Sequence, residues 1–148
     1  MHVHLMFKHL MRLHHLPLNV KVPDMPSSRE QELVTRWRTL STSYNDLACT
    51  LDRVLQESHR IGLSEFEALD RLVESGDKCL MHTLGSEMYL SQSALSRTVA
   101  RLEREGLVER AICDFDRRAI YVKPTPTGLE RHAEARETHR TVLADRLA

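Results

Sequence analysis

Between residues 29 and 60 the apolar side chains recur at alternating intervals of four and three. Leu33, Trp37, Leu40, Tyr44, Leu47, Leu51 and Val54 form a heptad seam running through three repeats. The spacing predicts one long helix, capped by Ser27 or Ser28 and stopped by Gly62. Its stripe packs within the subunit, against a second subunit, or both. Ser64 reads as the opening of a second helix, with Glu67 completing a capping box and Phe66, Leu69, Leu72 and Val73 facing inward. Ser75-Gly76 stops it. A short third helix is expected at about 80–87, with Leu80, Leu84 and Met88 inward, followed by a turn at Tyr89-Leu90.

Residues 91–105, SQSALSRTVARLERE, carry the clearest helical pattern. Leu95, Val99 and Leu102 repeat at i, i+4 and i+7 and define a buried face. Ser91 is a good N-cap, though Ala94 denies it a capping box, and Gly106 supplies the stop. Two short strands follow, roughly 107–111 and 119–122, with the polar run CDFDRR between them as a hairpin tip. Thr125-Pro126 then reads as an N-cap with proline at the first helical position, opening a final helix with apolar Val142, Leu143 and Leu147 near its end.

Residues 1–28 differ from the rest. They hold five of the nine histidines and three of the five prolines, and read as a poorly ordered extension. The stretch MHVHLMFKHLMRLHHL is broken by charges and lacks the apolar centre of a secretory signal. No run of apolar residues is long enough to cross a membrane, so no membrane association is expected. The three cysteines, Cys49, Cys79 and Cys113, are scattered without a C-x-x-C pair, which fits a reducing, cytoplasmic setting and gives no zinc signature. No metal or cofactor is expected. Gly-rich phosphate loops, a nucleophile elbow and a His-Glu-x-x-His pair are all lacking, so the sequence does not read as an enzyme.

Lys plus Arg number 21 and Asp plus Glu number 21, so the net charge is zero. A generic polyanion binder is excluded, and any DNA contact has to come from a local patch. Residues 91–123 supply Arg97, Arg101, Arg104, Arg110, Arg117, Arg118 and Lys123 against Glu103, Glu105, Glu109, Asp114 and Asp116. On the outer face of the fourth helix, Gln92, Ser93, Ser96, Arg97 and Arg101 suit a major groove. Short hydroxyls and amides approach base edges closely, and Arg forms paired bonds to guanine or holds a phosphate. An ordinary solvated helix face accounts for Glu103 and Glu105 but not for the lack of acidic side chains over 92–101. On the hairpin tip, Asp116 and Arg118 share one side of an extended strand. The aspartate is placed to clamp the arginine and aim it at a minor groove, with Arg117 beside it. A plain surface ion pair is the alternative.

LSQSALSRTVARLEREGLVER at 90–110 and DRRAIYVKPT at 116–125 resemble the recognition helix and wing of the multiple-antibiotic-resistance regulator (MarR) family. The family's wing motif is Asp-x-Arg, five residues, then Leu-Thr; here Asp116-Arg117-Arg118 is followed by five residues and Pro124-Thr125. The resemblance implies a mainly α fold with a small β-hairpin wing: a winged helix-turn-helix between N- and C-terminal dimerisation helices. The expected boundaries are an extension at 1–28 and a MarR-like domain at 29–148. That domain divides into a dimerisation helix at 29–62, the winged helix-turn-helix at 63–124, and a C-terminal helix at 125–148. The implied function is sequence-specific binding of double-stranded, pseudo-palindromic operator DNA by a homodimeric repressor that responds to a small phenolic or anionic effector.

Trp37, Tyr44 and His59 are candidates to line the effector cleft, although Trp37 and Tyr44 also suit a packed seam. Cys113 is a candidate redox residue at the wing base. Arg110, Arg117 and Arg118 favour its thiolate, while Asp114 and Asp116 oppose it. A winged-helix protein-interaction module that never touches DNA is the remaining alternative.

Overall fold

The computed structural model describes residues 27–76, 78–112 and 120–148. The chain divides into two compact units, residues 1–39 and 40–148. Five helices and three short strands occur among the described residues: α1 (Ser28–His59), α2 (Leu63–Glu74), β1 (Cys79–Leu80), α3 (Met81–Glu87), α4 (Gln92–Arg104), β2 (Val108–Ile112), β3 (Ile120–Pro124) and α5 (Pro126–Leu147). Among them no helix is long and apolar enough to cross a membrane.

In the first unit, Ser27 caps α1 through a reciprocal pair: the Glu30 N–H donates to Ser27 Oγ at 3.3 Å, and the Ser27 N–H to Glu30 Oε2 at 2.7 Å. Leu33, Val34 and Trp37 on this part of the helix are exposed. In the second unit, α1 continues with Leu40 and Tyr44 also exposed, 67% and 66%, and turns inward only at Leu51 and Leu55. The heptad seam therefore splits. Its C-terminal part enters the core of its own unit, and Leu40 and Tyr44 present apolar surface to solvent.

α1 ends one residue before Arg60, whose φ of 61° is left-handed; Gly62 is not the stop. Gly62 is instead the extended N-cap of α2, φ −81° and ψ 172°. The expected start at Ser64 with a Glu67 box is thereby corrected. Gly62 has no side chain to cap with, so Glu65 at the third helical position supplies the bond, its Oε2 accepting the Gly62 N–H at 2.7 Å. Asp52 Oδ1 on α1 accepts the next free donor, Leu63 N–H, at 2.8 Å.

The core of the second unit is built from Leu55, Ile61, Phe66, Leu69, Leu72, Leu84, Leu95, Val99, Leu102, Leu107 and Val122, each at most 2% exposed. The sheet has the order β1-β3-β2, antiparallel throughout. β2 and β3 pair from Val108↔Pro124 to Ile112↔Ile120, so the strands run one to two residues later than the alternation suggested. Pro124 sits at the end of its strand, where a missing N–H is tolerated. β1 adds Cys79↔Val122 and Leu80↔Tyr121, tying the start of α3 to the wing.

Thr125 caps α5 as expected and also fastens it to the wing base. Its Oγ1 accepts the Gly128 N–H at 3.0 Å and donates to the Gly106 carbonyl at 2.7 Å. Its own N–H reaches the Leu107 carbonyl at 3.0 Å. α5 then meets the end of α1. His59 Nε2 lies 2.7 Å from Thr138 Oγ1, and Arg131 Nη1 donates to the His59 carbonyl.

Beside this joint, Phe66 stacks on His132 and on His139, with ring centroids at 5.7 and 4.6 Å, and His132 Nε2 meets Asp70 Oδ1 at 2.7 Å. Burial lowers the His139 pKa from 6.5, with Asp70 opposing and Arg140 reinforcing the shift. The unfolded chain then binds this proton more readily than the fold does. The His139 contribution to stability is kept above 6.5 and lost as the pH falls through the lower folded value. Thermal melts from neutral to mildly acidic pH are expected to show a smaller acid loss for His139→Gln than for the parent. Equal losses would remove His139 as a cause.

Candidate nucleic-acid interface

α3, the turn after it and α4 form a helix-turn-helix, with β2 and β3 following. Ser91 caps α4 by accepting the Ala94 N–H at 3.3 Å, as its sequence position suggested. Leu95, Thr98, Val99 and Leu102 are buried, so the helix is held by one face. Gln92, Ser93, Ser96 and Arg97 are exposed around its first turns, and Arg101 and Arg104 continue the surface.

These groups are not equivalent. Ser93 Oγ lies 3.2 Å from the capping Ser91 Oγ, so its hydroxyl is already engaged. Arg101 Nε pairs with Glu65 Oε1, a carboxylate whose side chain is only 8% exposed. No acidic residue lies within 92–101, but α2 brings one to this stretch. Such an inter-helix pair leaves no mark in local spacing, so the sequence alone does not point to Glu65. Arg110, also near α4, lies with Nε 3.3 Å from Glu103 Oε2 and with Nη2 3.5 Å from the Ser96 carbonyl. Arg97 makes no hydrogen bond or ion pair with any described residue and is exposed.

The turn between α3 and α4 holds an unusual residue. α3 ends in a two-bond cap: Leu90 N–H reaches the Gly85 carbonyl at 3.2 Å and Tyr89 N–H the Ser86 carbonyl at 3.4 Å. The left-handed position of this cap is Tyr89, φ 52°, and its side chain is 93% exposed.

Trp37 is exposed in the first unit. In the second, Tyr44 is exposed and His59 is half-buried against Thr138. Fifteen residues of helix separate Tyr44 from His59, or about 22 Å at 1.5 Å per residue. Tyr44 and His59 are therefore too far apart to line one small cleft within a subunit. Cys113, Asp116, Arg117 and Arg118 lie outside the described residues, as does the 1–26 part of the N-terminal extension. Cys49 is exposed and Cys79 buried. Among the described residues no cluster of three potential metal ligands occurs.

The MarR family model matches residues 61–119, from the cap of α2 into the wing. A search of curated protein sequences returns no match. Solved structures are similar over most of the chain. Sco3205, a MarR family transcriptional regulator from Streptomyces coelicolor crystallised in complex with DNA, is 28% identical with a TM-score of 0.75, over 85% of this chain and 78% of that one. AbsC, a MarR family regulator from the same organism, is 26% identical with a TM-score of 0.73, over 84% and 82%. The transcriptional regulator BldR from Sulfolobus solfataricus is 26% identical with a TM-score of 0.72, over 79% and 83%. With its five helices and three-stranded sheet, the described part of the chain has the fold of MarR-family winged helix-turn-helix transcriptional regulators, and residues 61–119 match that family's model.

Proposed function

We propose that the chain binds a pseudo-palindromic site in double-stranded DNA as a homodimer and represses transcription by occupying it. The observation that carries this reading is the outer face of α4. Gln92, Ser96 and Arg97, which has no partner among the described residues, stand exposed at the start of a helix whose other face is locked in the core. Helix-turn-helix proteins read bases with those first turns. The DNA-bound Sco3205 structure supports the same assignment. Ser93 belongs to the same face, although its hydroxyl is shared with the cap. Arg101 acts as a brace between α2 and α4, with its exposed edge towards phosphate. The wing residues Arg117 and Arg118, with Asp116 as clamp, complete the contact in the minor groove.

A small phenolic or anionic effector is assigned to the joint around His59 rather than to Trp37 and Tyr44. At His59, α1 and α5 meet through Thr138 and Arg131, so a bound anion would act on both terminal helices. The exposed Tyr44 suits a partner subunit better.

Selection of duplexes from a random pool by the full-length protein tests the function directly. Enrichment of one inverted-repeat sequence is expected; a pool that stays random overturns the reading. On the enriched duplex, Arg97→Ala is expected to cost about 1–3 kcal/mol, with a smaller loss on a scrambled duplex. Fluorescence anisotropy measures both, and equal losses would remove Arg97 as a base reader.

A further inference from the structure

Three helices in this chain end with a residue in the left-handed position, each with its N–H bonded three residues back. After α2 it is Gly76, φ 79°, and after α4 it is Gly106, φ 69°. After α3 it is Tyr89, φ 52°. Glycine is the usual occupant because a Cβ there is strained, and the strain is largest for bulky side chains. The left-handed Arg60 after α1 has an offset that tyrosine lacks, since a cation at a helix C-terminus meets the negative end of the dipole. The phenol of Tyr89 is neutral and, at 93% exposure, buries almost nothing. It makes no hydrogen bond or ring contact with any described residue. Nothing among the described residues offsets its backbone cost. Strain of this kind points to a partner outside the chain.

The position of Tyr89 identifies the partner. It stands two residues before Ser91, the N-cap of α4, beside the exposed Gln92. When the start of a recognition helix enters a major groove, the residues just ahead of it pass the sugar-phosphate rim of that groove. Tyrosine hydroxyls are among the donors that bond phosphate oxygens. We propose that Tyr89 is a phosphate-binding residue, its hydroxyl donating to a backbone phosphate at the edge of the groove read by α4. It fixes the register of the helix on the duplex and carries no sequence information of its own. This rests on the DNA-binding reading above.

The experiment compares wild type, Tyr89→Phe, Tyr89→Gly and Arg97→Ala on the enriched duplex, by anisotropy across a salt series, with thermal melts of each protein. Tyr89→Gly relieves the strain, so it is expected to melt about 3 °C higher than wild type while binding about tenfold more weakly. Tyr89→Phe is expected to melt like wild type and to bind as weakly as the glycine variant. A neutral donor releases no counterion, so both keep the wild-type salt slope, whereas Arg97→Ala lowers it by about one. A scan of single neutral methylphosphonates should reveal one position in each half-site that weakens wild type and leaves Tyr89→Phe unchanged. Tyr89→Phe binding within about twofold of wild type overturns the phosphate bond. A glycine variant that melts lower overturns the strain argument. Failure of wild type itself to bind any duplex overturns the DNA reading and not this assignment alone.

Discussion

Gly128→Ala is expected to destabilise the fold by about 3 kcal/mol, although alanine is the better helix former. On helix propensity alone the substitution gains about 1 kcal/mol. The surroundings reverse the sign. A Cβ at Gly128 would overlap the carbonyl oxygen of Leu107, and the atoms it meets are backbone rather than a side chain that can turn away. That carbonyl also accepts the Thr125 N–H, and Thr125 in turn holds the Gly106 carbonyl and the Gly128 N–H. Moving α5 outwards to admit a methyl group would break this set of bonds together. Overpacking of rigid surroundings typically costs 1–3 kcal/mol, and loss of the cap adds to it. Urea unfolding followed by circular dichroism measures the change. A variant as stable as wild type would show that the close approach of α5 to Leu107 is not maintained in solution.

The second large effect concerns assembly. Leu40 and Tyr44 lie one turn apart on α1 and are two-thirds exposed, while the same helix buries Leu51 and Leu55. Leu147 at the end of α5 is 70% exposed, and Val142 and Leu143 are half-buried. A homodimer would cover such positions. Leu40→Asp is expected to yield a folded monomer, because the side chain supports little within its own subunit, and to weaken binding to the enriched duplex about a hundredfold. That loss follows from uncoupling two half-sites that otherwise bind as one. Sedimentation velocity and anisotropy read the two effects. A variant that sediments as wild type does, or a wild type that is itself monomeric at micromolar concentration, would refute the assignment.

The regular elements were legible where local pattern and local capping agree. α4 was clear because Leu95, Val99 and Leu102 define its buried face and Ser91 and Gly106 close its ends. The cap of α5 at Thr125-Pro126 was equally plain. Three features depend on groups brought together only by folding. β1 is two residues long and exists because β3 pairs with it, so no alternation announces it. Sequence alone puts the cap of α2 two residues late, because Ser64 is the better capping residue in isolation, whereas Glu65 and Asp52 provide the bonds that fix Gly62 as the cap and Leu63 as the first helical residue. The brace between Glu65 and Arg101 joins residues 36 positions apart. At the candidate interface, the residue types of the α4 face were evident, but the division of labour among them was not. Arg97 and Arg101 look alike along the chain, and only the fold distinguishes the one with no partner among the described residues from the one held by a carboxylate.

Glu65 and Asp52 have a consequence for how a distant signal would be felt. Asp52 fixes the first amide of α2 to α1, and two positions on Glu65 grips the recognition helix. A tilt of α1 is therefore geared to α4 through two polar joints instead of being absorbed in a slack loop. DNA offers its contacts in steps of ~3.4 Å along each strand. A displacement of the reading helix by a fraction of that step would put its base contacts out of register. In the proposed homodimer, a small motion between the subunits would then suffice to carry the reading helices from engaged to released.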